Sequence, residues 1–254
     1  MKKLSKFREP INVFPAALSA AEQDVFALVL CEISKVVGFN GIQAKQSDEF
    51  EKKPIPYQFE FTEAELTGLF QCSVDNLRKT LEPAARSLVR RDVSYSSDQG
   101  FDVFSPISRV RYHMGQPFFI EMSPSVAELL AENVEAGFSE MDFKLFVSLS
   151  GRYERRILKA LSQWKHIPSK EVKFTIKEFR DYIGLEDGEY QRTEALVRKT
   201  IKKPISDIIE KSEGCWVPTD PEKKGFALTR EGKGRAYTHV VFKMRHQPKA
   251  GLLQ

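Results

Sequence analysis

Long apolar runs are missing from this sequence. None reaches the roughly 20 residues that a membrane-spanning helix needs, and the opening "MKKLSKFREP" lacks the apolar stretch of a secretion signal. A cytoplasmic protein with no membrane partner is therefore expected. Cysteine is scarce: Cys31, Cys72 and Cys215 lie far apart, which fits neither a disulfide framework nor the Cys-x-x-Cys spacing of a zinc site. The four histidines (His113, His166, His239, His246) are scattered, with no His-x-His pair of the kind a metal-dependent nickase uses. No Gly-x-x-x-x-Gly-Lys-[Ser/Thr] or Gly-x-Gly-x-x-Gly loop is present to cradle nucleotide phosphates. Carboxylates do gather in "RDYIGLEDGEY", as Asp181, Glu186, Asp187 and Glu189. They make either a metal site or an acidic turn ahead of a basic helix; the turn is the better reading, because such residues favour turns and helix starts. Neither catalytic residues nor a metal or cofactor is expected, and the sequence reads as a binding protein and not an enzyme.

What is present is a chain of 254 residues, 41% hydrophobic and 29% charged, long enough for two small domains with real cores. The net charge of +4 is uneven. Residues 1–138 hold 15 Lys/Arg against 19 Asp/Glu, a net −4; residues 139–254 hold 24 against 16, a net +8. A basic second half suits a polyanionic partner, although a lysine-rich solvated surface gives the same count.

The chain also repeats itself. "FTEAELTGLF" (61–70) matches "FTIKEFRDYI" (174–183), and each precedes a basic helix, "LRKTLEPAARSLVRR" (77–91) or "YQRTEALVRKTIKKPISDIIEK" (190–211). The spacer up to the matching Leu-Arg-Lys-Thr or Val-Arg-Lys-Thr is seven residues longer in the second copy. Thr62 with Glu65, and Thr175 with Glu178, have the spacing of a capping box that starts a helix. Upstream of each copy runs an amphipathic helix beginning Leu-Ser, from Leu18 and from Leu149. Downstream lie strand-like runs: "DVSYSS", "ISRVRYH" and "PFFIEMS" in the first copy, "CWVP", "FALTR" and "AYTHVVFKM" in the second. Helix, short helix, basic helix, β-hairpin is the element order of a winged helix. The predicted fold is therefore α+β, two tandem winged-helix domains related by internal duplication. Their expected limits are 1–136 and 140–254, with the boundary near Gly137.

At 100° per residue, Val197, Ile201, Ile205, Ile208 and Ile209 form an apolar stripe. Arg192, Lys199, Lys202 and Lys203 gather opposite, with Arg198 at the flank. In the first copy Leu77, Leu81, Ala84 and Leu88 make the stripe, with Lys79, Arg86 and Arg90 opposite. Either these basic groups form a solvated face, or they meet DNA where a helix-turn-helix presents its reading helix to the major groove. Pro83 and Pro204 should each bend their helix or divide it in two. The glycine-flanked Lys233 and Arg235 add a basic hairpin tip suited to a phosphate backbone or a minor groove, or else an ordinary turn.

The stretches "LSGRYERRILKALSQW", "FTIKEFRDYIGL", "YQRTEALVRKTIKKPISDII" and "KGRAYTHVVFKM", in this order, resemble the iteron-binding, theta-replicating plasmid replication initiators, the Rep proteins with two winged-helix domains. The N-terminal half matches more loosely, through "LSAAEQDVFALVL" and "FFIEMSPSVAELLAE". Lysines dominate here where the family's reading helix often carries an arginine run. The resemblance implies a protein that binds direct repeats at a plasmid origin as a monomer and helps melt adjacent AT-rich DNA. It also implies recruitment of the host initiator and replicative helicase, with chaperones as further partners, and an association with plasmid DNA in the bacterial nucleoid. As a homodimer it would bind an inverted repeat and repress its own gene. The family's N-terminal domain supplies the dimer contact, which points to the hairpin holding Arg109 and Arg111; the alternative is that this hairpin is simply the first domain's wing on DNA. A two-winged-helix repressor without a replication role is the other reading of the same build, and a nicking or priming enzyme is a third.

Overall fold

The computed structural model describes residues 6–10, 18–37, 56–97, 99–126, 138–165, 171–231 and 236–247. Gly137, Lys233 and Arg235 lie outside the described residues. The chain gathers into two compact units. The first holds Met1–Pro15, Ala21–Phe138 and Asp142–Val147; the second holds Ala16–Ala20, Ser139–Met141 and Ser148–Gln254.

Elements through the β5–β6 hairpin are β1 (Lys6–Pro10), α1 (Ala20–Val37), β2 (Gln58–Phe61), α2 (Glu63–Phe70), α3 (Val74–Val89), β3 (Val93–Ser97), β4 (Gly100–Phe104), β5 (Ile107–Arg111) and β6 (Phe118–Met122). Then come β7 (Phe138–Asp142), α4 (Phe143–Ser148), α5 (Arg152–Gln163), β8 (Val172–Thr175), α6 (Ile176–Ile183) and α7 (Thr193–Val197). A π-helical turn (Arg198–Lys202) leads into α8 (Lys203–Lys211), β9 (Trp216–Pro218), β10 (Phe226–Thr229), β11 (His239–Phe242) and β12 (Met244–His246). Among the described residues no helix is long and apolar enough to cross a membrane.

The two units share one topology. In the first, a three-stranded antiparallel sheet has the order β2-β6-β5; in the second the order is β8-β11-β10. Each sheet thus pairs a hairpin (β5–β6, β10–β11) with the short strand that enters the capped helix. These are winged helices. Alternation sets which face of the first sheet is buried: Phe59 and Phe61 on β2 lie opposite Ile120 and Phe118 on β6, and all four are buried. Leu66, Leu77, Leu81, Ala84 and Leu88 supply the helical side of that core. Glu22, itself buried, accepts from Ser87 Oγ at 2.8 Å and from Arg91 Nε at 2.8 Å, tying α1 to the end of the α3 segment. In the second unit, Phe174 packs on Phe179, Tyr182 and Phe242 with ring centroids 5.1–6.3 Å apart.

Strands β2 and β8 are not visible in the sequence pattern. It signals only the helix starts that follow them, and four residues hold too little alternation to stand out against the adjoining helix. Both predicted capping boxes are present. Glu65 N donates to Thr62 Oγ1 at 3.2 Å while Thr62 N donates to Glu65 Oε2 at 2.8 Å. Glu178 N donates to Thr175 Oγ1 at 3.1 Å and Thr175 N to Glu178 Oε2 at 2.8 Å.

Hydrogen bonds from the Thr175 amide and then its hydroxyl hold the Glu178 carboxyl below its ordinary range. A carboxyl lowered on folding stabilises the fold above its unfolded value, and the gain disappears as pH falls through the lowered value. Thr175→Ala is expected to cost about 1 kcal/mol of unfolding free energy at neutral pH. Against Glu178→Gln, the charge-dependent advantage of the wild type should be present at pH 7 and vanish on acidification, as followed by thermal melts across pH.

Candidate nucleic-acid interface

Each unit presents one helix with a buried stripe and a charged outer face. In the first unit Leu77, Leu81, Ala84 and Leu88 are buried as expected, while Lys79, Arg86 and Arg90 are exposed. Ser73 caps this helix, accepting from Asn76 N at 3.4 Å, and α3 runs unbroken through Pro83. Arg90 sits just past the helix as its C-cap.

The second unit departs from the expectation in three ways. Arg192 is not on the helical face: it is the N-cap, in extended conformation, because the loop before it turns through Gly188 and Tyr190 at positive φ. The buried stripe is Leu196, Thr200, Ile201, Pro204, Ile205 and Ile208, with Val197 and Ile209 only half-buried. The helix is neither simply bent nor split, but winds through a five-residue π turn at Arg198–Lys202.

The duplication accounts for that turn. "LRKTLEP" in the first copy aligns with "VRKTIKKP" in the second, one residue longer between the threonine and the proline. A residue added to a packed α-helix would rotate everything beyond it by about 100°. A single wide turn absorbs it and keeps both ends of the stripe on the core. Proline next to it suits the wide turn, since it has no N–H to donate and its ring crowds the carbonyl four residues back, that of Thr200. Thr200, fully buried, satisfies its hydroxyl by donating to the Leu196 carbonyl at 2.7 Å.

With the stripe at 200–201 and 204–205, the pairs Arg198–Lys199 and Lys202–Lys203 fall outward, and all four side chains are exposed. Arg192, Arg198, Lys199 and Lys202 make no ion pair among the described residues. Lys203 differs: its Nζ lies 2.5 Å from Asp207 Oδ2 and 3.4 Å from Glu154 Oε1, and the hydrogen bond to Asp207 holds its pKa above the ordinary lysine value.

The acidic stretch before this helix is a folded turn. Glu189 Oε2 accepts from Glu186 N at 2.9 Å and lies 3.4 Å from Arg152 Nη2. Arg180 Nη2 donates to the Glu189 carbonyl at 2.6 Å and Nη1 to that of Tyr190 at 3.2 Å. The longer spacer is thereby fastened to α5 and α6. His239 lies on β11, with Nδ1 at 2.9 Å from Thr238 Oγ1. Among the described residues no group of three or more His, Cys, Asp or Glu is arranged to hold a metal.

On the β5–β6 hairpin, Arg109 and Arg111 lie on the edge strand β5, with their guanidinium carbons 6.0 and 5.0 Å from the centroid of the Phe119 ring. Between α3 and this hairpin runs an open groove of about 660 Å³, bordered by Arg78, Glu82, Arg86, Arg90 and His113. Arg78 and Glu82 are not found by taking cations opposite the stripe, because one flanks it and the other is an acid; their i, i+4 spacing is the available signal.

Residues 10–162 match the family model described as "Initiator Replication protein, WH1". The chain belongs to the initiator replication protein family. No curated protein matches it by sequence. Among solved structures, it is similar to the Pi initiator protein, whose crystal structure was determined in complex with iteron DNA. That match has 15% identity and a TM-score of 0.71, covering 98% of this chain and 100% of the other. It extends the shared fold over the second unit of this initiator-family chain.

Deleting Lys203 would restore the spacing of the first copy. The variant is expected to stay folded and to replace the π turn with regular α-helix, visible in a crystal structure. Collapse of the second unit on deletion would show that the wide turn is needed for more than the extra residue.

Proposed function

We propose that this chain initiates plasmid replication by binding repeated double-stranded DNA at an origin, with the outward helix of each unit in the major groove. The observation that carries the reading is the second unit's row of exposed cations, Arg198, Lys199 and Lys202, with Arg192 at the helix start, none of them ion-paired among the described residues. They stand opposite a fully packed stripe, in a chain that belongs to the initiator replication protein family and whose fold neighbour is an initiator. Cations so placed supply phosphate contacts, and arginines can also read guanine. Lys79 and Arg90 would play the same part in the first unit, while Arg86 and Lys203 add less to phosphate attraction because carboxylates already hold them. The domain division proposed is 1–136 for dimer contact and secondary DNA contacts, and 140–254 for the main DNA binding, in line with net charges of −4 (residues 1–138) and +8 (residues 139–254).

A nuclease footprint on the DNA flanking the gene tests this reading. Protection of several direct repeats beside an AT-rich block supports the initiator; protection of a lone palindrome supports the repressor instead. Changing Arg198, Lys199 and Lys202 together to alanine should leave the melting temperature unchanged. It should lower the salt dependence of binding by about one unit for each phosphate that is no longer neutralised. Lys203→Ala should change that slope less than any of the three.

We further propose that a homodimer binds an inverted repeat and represses the protein's own gene, pairing through the β5–β6 hairpin. The support is that β5, which carries Arg109 and Arg111, is the edge strand of its sheet. Val110→Pro removes the backbone donor that points away from β6, toward the open edge. Sedimentation should show the variant shifted toward monomer, with repeat binding retained; an unchanged dimer constant would place the interface elsewhere.

A further inference from the structure

The outward face of α3 carries an acid at its centre. Glu82 stands one helical turn from Arg78 and one from Arg86. Its Oε1 accepts from Arg86 Nε at 3.2 Å and Nη2 at 2.9 Å, and its Oε2 lies 3.5 Å from Arg78 Nε. The side chains of Arg78, Glu82 and Arg86 are 63%, 45% and 68% exposed, so solvent reaches all of them.

Pairs at i, i+4 commonly do no more than steady a helix. Two observations point further. The second unit has Lys202 at the position matching Glu82, and no acid in residues 198–203 of its outer face. An acid on a surface that meets a polyanion opposes phosphate contact, so its presence costs non-specific affinity. Moreover, Glu82 engages two guanidiniums at once and leaves their far edges open. Arg78 keeps Nη1 and Nη2 available, and Arg86 keeps Nη1, beside the groove between α3 and the β5–β6 hairpin. A guanidinium fixed at its inner edge loses less rotamer freedom when its outer edge meets O6 and N7 of guanine. The carboxylate can in turn accept from the amino group of cytosine. From residue 78 to residue 86 the helix rises about 12 Å, or roughly three to four base pairs at about 3.4 Å each.

We propose that Arg78, Glu82 and Arg86 form a reading triad for adjacent G·C pairs in the major groove, with Glu82 as the residue that sets specificity. This rests on the reading of the chain as a duplex-DNA binder. Arg78 and Arg86 recognise guanines, while Glu82 holds them in place and penalises duplexes that offer phosphate attraction but no matching base edges.

The test uses the full chain and a duplex carrying one footprinted repeat. It is compared with duplexes in which each G·C pair is changed singly to A·T, and with an unrelated duplex. Binding is followed by fluorescence anisotropy at fixed salt. For the wild type, a cluster of two to four neighbouring substitutions should each weaken binding about ten-fold or more. Glu82→Gln keeps the side-chain shape and removes the charge. It should tighten binding to the unrelated duplex and flatten the response across that cluster, with an unchanged melting temperature. Arg86→Lys keeps the charge but loses the fork, so it should flatten the response at one pair with non-specific affinity retained. The triad is overturned if Glu82→Gln preserves every ratio, or if the affected pairs respond instead to changes in the second unit. A wild type that binds the footprinted repeat no better than the unrelated duplex overturns the DNA-reading function itself, an outcome distinct from either.

Discussion

Two hydrogen bonds at the joint between a strand and a helix govern both halves of this molecule. In each unit a threonine hydroxyl and a glutamate carboxylate exchange bonds with one another's backbone amides. The exchange fixes the residue at which extended chain becomes helix, and therefore the direction in which the helix leaves the sheet. In the first unit the chain then needs only the short turn through Gln71, which adopts a left-handed conformation at φ 50°, before Ser73 caps α3. The outward face of α3 is aimed by that sequence of caps and by the stripe beneath it. In the second unit Gly184 ends the helix in the same left-handed way, at φ 68°, but a longer loop follows. There the Arg180 and Arg152 contacts to the loop take over the positioning that a tight turn performs in the first unit.

Much of this is legible in the sequence because the signals are local. The Thr-x-x-Glu spacing locates both capping boxes, and the four apolar positions from Leu77 to Leu88 give the buried stripe of α3 without error. The duplicated order of elements is enough to expect two winged helices. The failures have physical causes. Strands β2 and β8 are four residues each and run directly into helices, so period-two alternation has no length in which to emerge. The stripe of the second basic helix is misplaced by periodicity because a constant 100° step cannot represent a π turn; it puts Val197 inside and leaves Leu196 and Thr200 out. The same step places Arg192 on a helix that begins one residue after it.

At the candidate interface, charge type and exposure are legible while pairing is not. Nothing in "VRKTIKKPISD" separates Lys203 from its neighbours, yet Asp207 and Glu154 both engage it. The interaction with Glu154 joins residues 49 positions apart, beyond any local pattern. The Arg78–Glu82–Arg86 cluster lies within local reach, at one-turn spacings, but a search for cations passes over the acid that organises them.

The one-residue difference before Pro204 also bears on how two similar halves can differ. An interior that must stay filled leaves little freedom to change a helix by substitution alone. A one-residue difference in length, taken up as a local wide turn, leaves the packing intact and keeps the extra side chain in solvent. Two halves that began alike can in this way acquire different external chemistries, one balanced by an acid and one wholly cationic along the matching stretch, while sharing a single scaffold.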